Sequence, residues 1–168
     1  MSDYYATAGL GDRERAVLAE PRLAVVSTVS PNGDPHSVPC WFRFDDDRFV
    51  MSVHSQARRA KNVATRSRAR VLIEHPSGWV SAVGPASLIT GGDVRSLQDR
   101  IGEKYLTPSG QQHFVEASGI PDDAVLEVRP ERWMSWDMID SAMPKMLAAG
   151  FGVDEIMGWF KPMARRDR

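Results

Sequence analysis

The chain has 168 residues, 42% of them apolar and 26% charged, enough for one domain with its own hydrophobic core. With 21 basic against 22 acidic side chains the net charge is −1, so no overall field draws the protein towards nucleic acid or an anionic membrane, and any anion recognition must be local. Cys40 is the only cysteine, which excludes an internal disulfide and a multi-cysteine metal site. The N-terminal stretch has no charged region followed by an apolar core, and no window reaches the roughly 18 apolar residues of a membrane span. The expectation is a cytoplasmic protein without a membrane partner.

Residues 12–20 read as a short amphipathic helix with Val17 and Leu18 inward, stopped by Pro21. The run 23–30 is rich in β-branched residues and too short for a helix, and Asn32-Gly33 in the following turn signals a tight hairpin. Residues 35–44 alternate, with His36, Val38, Cys40, Phe42 and Phe44 on one face and Ser37, Pro39, Trp41 and Arg43 on the other. After the turn Asp45–Asp47, residues 48–53 give a third strand. The pattern then switches to a helix over 56–66, with Ser55 as its N-cap. Strands at 69–75 and 79–89 follow, then a helix at 93–106 and a last long strand at 124–136. The tail from 139 to 160 reads as two helical pieces broken near Gly150 and Gly152. Six strands with one early helix between the third and fourth predict an α+β barrel, not a parallel sheet.

The stretch 55–63 carries the densest chemistry. Arg58, Arg59 and Lys61 fall in the first turns of a helix, where free amides and the macrodipole already favour negative charge. Three cations there work against the helix unless an anion sits between amides and side chains. A solvated basic face is the plain alternative. His36 on its strand face reads as structural, and Cys40 as a small buried hydrophobe. The two lie about 13 Å apart along an extended strand, too far to share a metal.

The ordered segments LAVVSTVSPNGDPHSVPCWF, RFVMSVHSQARRAKNV, RARVLIEH and WVSAVGPASLI, closed by RPERWMSWD, resemble the pyridoxamine 5′-phosphate oxidase-like split-barrel superfamily. The resemblance is nearest to its flavin/deazaflavin oxidoreductase branch, whose members often use coenzyme F-420. It implies a six-stranded antiparallel split β-barrel (an FMN-binding split barrel) with short flanking helices, in one domain over 1–168 with its core at 22–136. It further implies a homodimer with the cofactor at the subunit interface and a hydride passed to a small conjugated or electron-poor substrate. Ser37, Val38, Pro39, Cys40 and Trp41 would run beneath the cofactor ring, with Met51, Ser52 and Val53 lining the same site. Arg58 and Arg59 would hold the phosphate, with Lys61, Asn62 and the neighbouring His54 beside it. Trp79, Val80 and Trp136 would also meet the cofactor. No catalytic side chain or metal ligand is assigned.

Trp79 stands where the vitamin-making oxidases have Gln, and their C-terminal Arg-x-His motif is missing, which argues against pyridoxamine phosphate as substrate. The branch resemblance and the excess of 17 arginines over 4 lysines, as in GC-rich genomes, favour F-420 over FMN. A basic groove through Arg66, Arg68 and Arg70 would suit its anionic tail. A flavin, deazaflavin or haem carrier without turnover is the non-enzymatic alternative.

Overall fold

A computed structural model describes residues 6–7, 9–118 and 122–160. The chain divides into two compact units, one ending at Ser135 and the other starting at Trp136. In the first, β1 (Ala6–Thr7) and α1 (Asp12–Ala19) precede β2 (Ala24–Val29), β3 (Pro35–Cys40), β4 (Arg43–Asp45) and β5 (Arg48–Val53). Then come α2 (Arg58–Arg66), β6 (Arg68–His75), β7 (Gly78–Thr90), α3 (Val94–Tyr105), α4 (Pro108–Ser118) and β8 (Ala124–Val128). β9 (Arg132–Asp137) crosses into the second unit, which continues as α5 (Met138–Ser141), α6 (Met143–Ala148) and α7 (Val153–Gly158). The tail is thus helical as expected, and its break holds Gly150 at φ 95°.

The strands pair antiparallel in the order β3-β2-β6-β7-β8-β5-β4, with β9 alongside β7 and β1 alongside β9. All six expected strands are present, but the count and closure differ from a six-stranded barrel. The run 35–44 breaks at Trp41-Phe42, the run 124–136 breaks at 129–131, and β1 is added, which makes nine. Among the described residues no pairing closes β4 back onto β3, so the path is open.

β7 explains how one sheet turns a corner. Its first part pairs with β6 through Pro85, and from Ala86 it pairs with β8. Proline has no amide to donate, so the ladder changes partner where it is cheapest to interrupt. The chain after β8 crosses closely here: Arg129 N–H donates to Pro85 O (3.0 Å) and Glu131 N–H to Val83 O (3.0 Å). A Cβ on Gly84 would lie 1.8 Å from the Arg129 carbonyl oxygen, so only glycine lets the two backbones approach.

The inward faces of β2, β5, β6, β7 and β8 meet over Val26, Met51, Val53, Ile73, Val80 and Leu126. Phe42, Phe44, Phe49 and Trp133 join this core in a chain of edge and tilted ring contacts, centroids 4.8 to 5.8 Å apart. Val17 and Leu18 of α1 are buried in it, as the helical spacing predicts.

Two turns exchange expected roles. At 31–34 only Gly33 has positive φ (95°), and Ser30 and Asp34 bracket a three-residue loop through Ser30 N–H donating to Asp34 O (2.8 Å). The two-residue turn with both centres left-handed falls instead at Asp46 and Asp47, φ 51° and 55°.

A candidate anion cleft between a hairpin and a helix start

α2 begins two residues later than the sequence predicts. Ser55 does not cap it: its amide and hydroxyl donate to Asp123 (2.6 and 2.7 Å), and these bonds hold the Asp123 carboxyl below its ordinary range. His54 shapes the turn before the helix, its Nδ1 accepting from Gln56 N–H (3.1 Å) and its carbonyl from Ala57 N–H (2.9 Å). Ala57 then stands at the N-cap with no side chain to offer, and Lys61 N–H is the first amide to close the helix, onto Ala57 O (3.1 Å). The amides of Arg58, Arg59 and Ala60 have no acceptor in the helix. No acid lies in this turn.

Opposite stands the β2–β3 hairpin. Between the two opens a cleft of about 570 Å³, lined by Ser30, Pro31, Asn32 and Asp34 on one side and Gln56, Arg58, Lys61 and Asn62 on the other. Two polar ties fix its walls. The buried Asn62 donates Nδ2–H to Thr28 Oγ1 (2.9 Å), and Arg66 donates Nη2–H to Pro31 O (2.9 Å) at the hairpin. A buried hydrogen bond of this kind has no water to replace it, so it sets the distance between helix and sheet.

The expected cationic trio separates. Arg58 and Lys61 are exposed and line the cleft, whereas Arg59 is half-buried and turns towards β5, donating Nη2–H to Ser52 O (3.3 Å). Its Nε is buried without a protein acceptor. Its charge also acts on Cys40, whose thiol burial pushes up to about 11, with Arg59 opposing. Cys40 is therefore an inert thiol that leans on Ala24 O, as a small hydrophobe would.

The other expected site residues fall in several environments. Ser37 and Pro39 lie exposed on β3, an edge strand, with Ser37 Oγ 2.8 Å from Ser27 Oγ; Val38 points to the opposite, half-buried face. Met51, Val53 and Val80 are core side chains, so only their backbone is free to face a ligand. Ser52 offers its carbonyl to Arg59. Trp41 does not lie open for a planar ligand. Its ring stacks on Tyr105 at 4.8 Å and 5°, with Phe114 of α4 at 5.2 Å and 33°. Trp79 is half-buried opposite Glu74, and Trp136 is half-buried on β9 in the second unit. Of the supposed tail groove, Arg66 reaches the hairpin, but Arg68 pairs with Glu131 (2.9 Å).

The hairpin wall itself went unread in the sequence: Ser30 read as the end of a strand and Asn32 and Asp34 as turn formers, with nothing to show that α2 folds back over them. Only the complementarity of a cationic helix start and an acidic, amide-bearing turn could have flagged the pair.

Residues 10–137 match the pyridoxamine 5′-phosphate oxidase family. The chain is also 31% identical over 146 residues to an F420H(2)-dependent biliverdin reductase of Mycobacterium tuberculosis, covering 84% of this chain and all of that one. The chain belongs to the pyridoxamine 5′-phosphate oxidase family. Solved structures with the same fold include an F420 reductase (16% identity, TM-score 0.58, 74% of this chain and 98% of that one). Another is HutZ, the haem storage protein of Vibrio cholerae (15% identity, TM-score 0.60, 76% of this chain and 96% of that one). At these identities the structures share a fold and no more.

Within this family the cleft's donors fit an anionic cofactor group. Arg58 and Lys61, which make no ion pair among the described residues, and the fixed Asn62 line one space at the start of α2. Among the described residues no group of His, Cys, Asp and Glu could hold a metal, and no helix is long and apolar enough to cross a membrane.

Proposed function

We propose that this protein is a coenzyme F-420-dependent reductase, a cytoplasmic homodimer with its cofactor at the subunit interface, acting on a small conjugated or electron-poor organic molecule. The observation that carries this reading is the cleft at α2, where Arg58 and Lys61 face the hairpin and make no ion pair among the described residues. It gains weight from the end-to-end similarity to an F420H(2)-dependent reductase. When bound, the reduced deazaflavin supplies the hydride. The chain's part is to bind and orient: Arg58 and Lys61 neutralise the phosphate, the first-turn amides of α2 direct it, and Asn62 keeps helix and hairpin at a fixed separation. The exposed edge strand β3, with Ser37 and Pro39, is the surface along which the ring would lie. The proton comes from solvent or a nearby side chain, and no residue is assigned to deliver it.

Purified protein titrated with F-420, FMN and haem tests the binding claim, and F-420 is expected to bind at micromolar concentration. Oxidation of reduced F-420 is then followed with biliverdin first, because that is the substrate in the relative's name, and with enones, quinones and nitro compounds. Tight F-420 binding without turnover on any of these would make the protein a carrier. FMN binding in place of F-420 would keep the fold's chemistry and change the cofactor. Failure to bind either overturns the proposal.

A further inference from the structure

The cleft has an acidic wall as well as a basic one. Asp34 lines the same space as Arg58 and Lys61, yet forms no ion pair with either, so the three charges stay apart with the cleft between them. The carboxylate is held on the hairpin by Asn32, whose Nδ2–H donates to Oδ2 (2.6 Å), while Asp34 N–H turns back to Asn32 Oδ1 (3.4 Å). The hairpin is in turn fixed to α2 by Arg66 at Pro31 O. Asp34 is thus held by bonds within its own turn. Counting the lining side chains, the cleft presents a net charge of one positive, with Arg59 turned to the Ser52 carbonyl and Arg66 spent on the hairpin.

We infer that Asp34 is a selectivity residue, cutting back the advantage that the second charge of a phosphomonoester would otherwise have over a singly charged phosphodiester. A monoester carries close to two negative charges at neutral pH and a diester one. Every ligand charge is drawn by Arg58 and Lys61 and pushed by Asp34, so Asp34 cancels about one cation's share of what a monoester's second charge would gain. A repulsive group set inside an attractive site is how discrimination between similar ligands is built. This inference rests on the proposed cofactor reading, in which the ligand's phosphate occupies the cleft.

The test compares wild type with Asp34→Asn, which keeps the shape of the side chain and its contact with Asn32. The probes are FMN, its cyclic 4′,5′-phosphodiester, riboflavin and F-420, each titrated by fluorescence and by displacement of bound F-420. Asp34→Asn is expected to tighten FMN roughly three- to tenfold, the cyclic diester by less, and riboflavin not at all, since two charges several ångströms apart in water interact by about 1 kcal/mol or less. The gain should shrink at 1 M salt. An unchanged FMN-to-diester ratio overturns the inference, as does failure of FMN to bind the variant better than wild type. If wild type binds F-420 but the ratio does not move, the selectivity role alone falls. If wild type binds none of the probes, the cofactor reading falls and takes this inference with it.

Discussion

Arg58, Arg59 and Lys61 sit within four residues, but their side chains have different tasks. Arg58 and Lys61 line the cleft, and Arg59 turns to the Ser52 carbonyl. Charge-assisted hydrogen bonds to a phosphate are worth about 1.5–3 kcal/mol each, so Arg58→Ala or Lys61→Ala should weaken F-420 binding by roughly tenfold or more. Arg59→Ala should instead lower the unfolding midpoint in urea more than it lowers affinity, because it removes a half-buried group that holds β5 to α2. Equal losses of affinity across all three variants would return Arg59 to the ligand and contradict the geometry. The sequence exposed the cluster because three cations at a helix start break a simple electrostatic rule. It could not separate them, since which way each guanidinium turns depends on β5, which reaches the helix only through the tertiary fold. The same limit hid Thr28, an ordinary strand residue until Asn62 donates to it across 34 positions.

At the scale of elements, α3 and the break between β3 and β4 form one device. The Tyr105 hydroxyl accepts from Phe42 N–H (3.0 Å) and lies within donating reach of Arg22 O (2.7 Å) and Phe42 O (3.1 Å), while its ring stacks on Trp41. Burial pushes this phenol up from 10.0 to about 12. Between those two pH values the unfolded chain has lost the proton that the folded chain keeps, so stability falls as pH rises through that window. Denaturation followed from pH 9 to 12 should show this decline in wild type and a flatter profile in Tyr105→Phe, which should also be less stable at neutral pH. Identical slopes would mean the hydroxyl is not held as described. Gly84 makes the second element-scale case. With a Cβ 1.8 Å from a backbone oxygen, Gly84→Ala must push β7 and the 129–131 crossing apart, at a cost expected above about 2 kcal/mol by urea titration. A loss under about 0.5 kcal/mol would show that the crossing yields freely. Neither device could be read from the sequence. Strand alternation runs unbroken through Trp41 and Phe42, and nothing local marks the turn of the backbone there. α4 also passed unseen, because Pro108, Gly110 and a mixed polar run give it no apolar stripe.

For the whole molecule, strand positions, the early helix and the family were legible because period-two alternation and turn residues act locally. The open path and the nine-strand count were not, since they depend on how β7 shares its edges among β6, β8 and β9. That sharing leaves one sheet face to be accounted for. Rows across it read Pro39, Val25, Leu72 and Ser81, then Ser37, Ser27, Arg70 and Val83, from the registers of β3, β2, β6 and β7. Val25, Leu72 and Val83 remain only half-buried there, on the face opposite the core. Ser81, at the β7 end of the first row, is already buried within the chain; the apolar row bordered by Ser27, Ser37 and Arg70 has the composition of an interface centre with a polar rim. If the proposed homodimer uses this face, Leu72→Glu places two like charges near one another across it and should convert a dimer to a monomer by light scattering. Because Leu72 points away from the core, circular dichroism should stay unchanged, while F-420 affinity should fall with the lost subunit. A variant that remains dimeric with unchanged affinity would move the interface to another surface, and a monomeric wild type that binds F-420 fully would remove the partner subunit from the site.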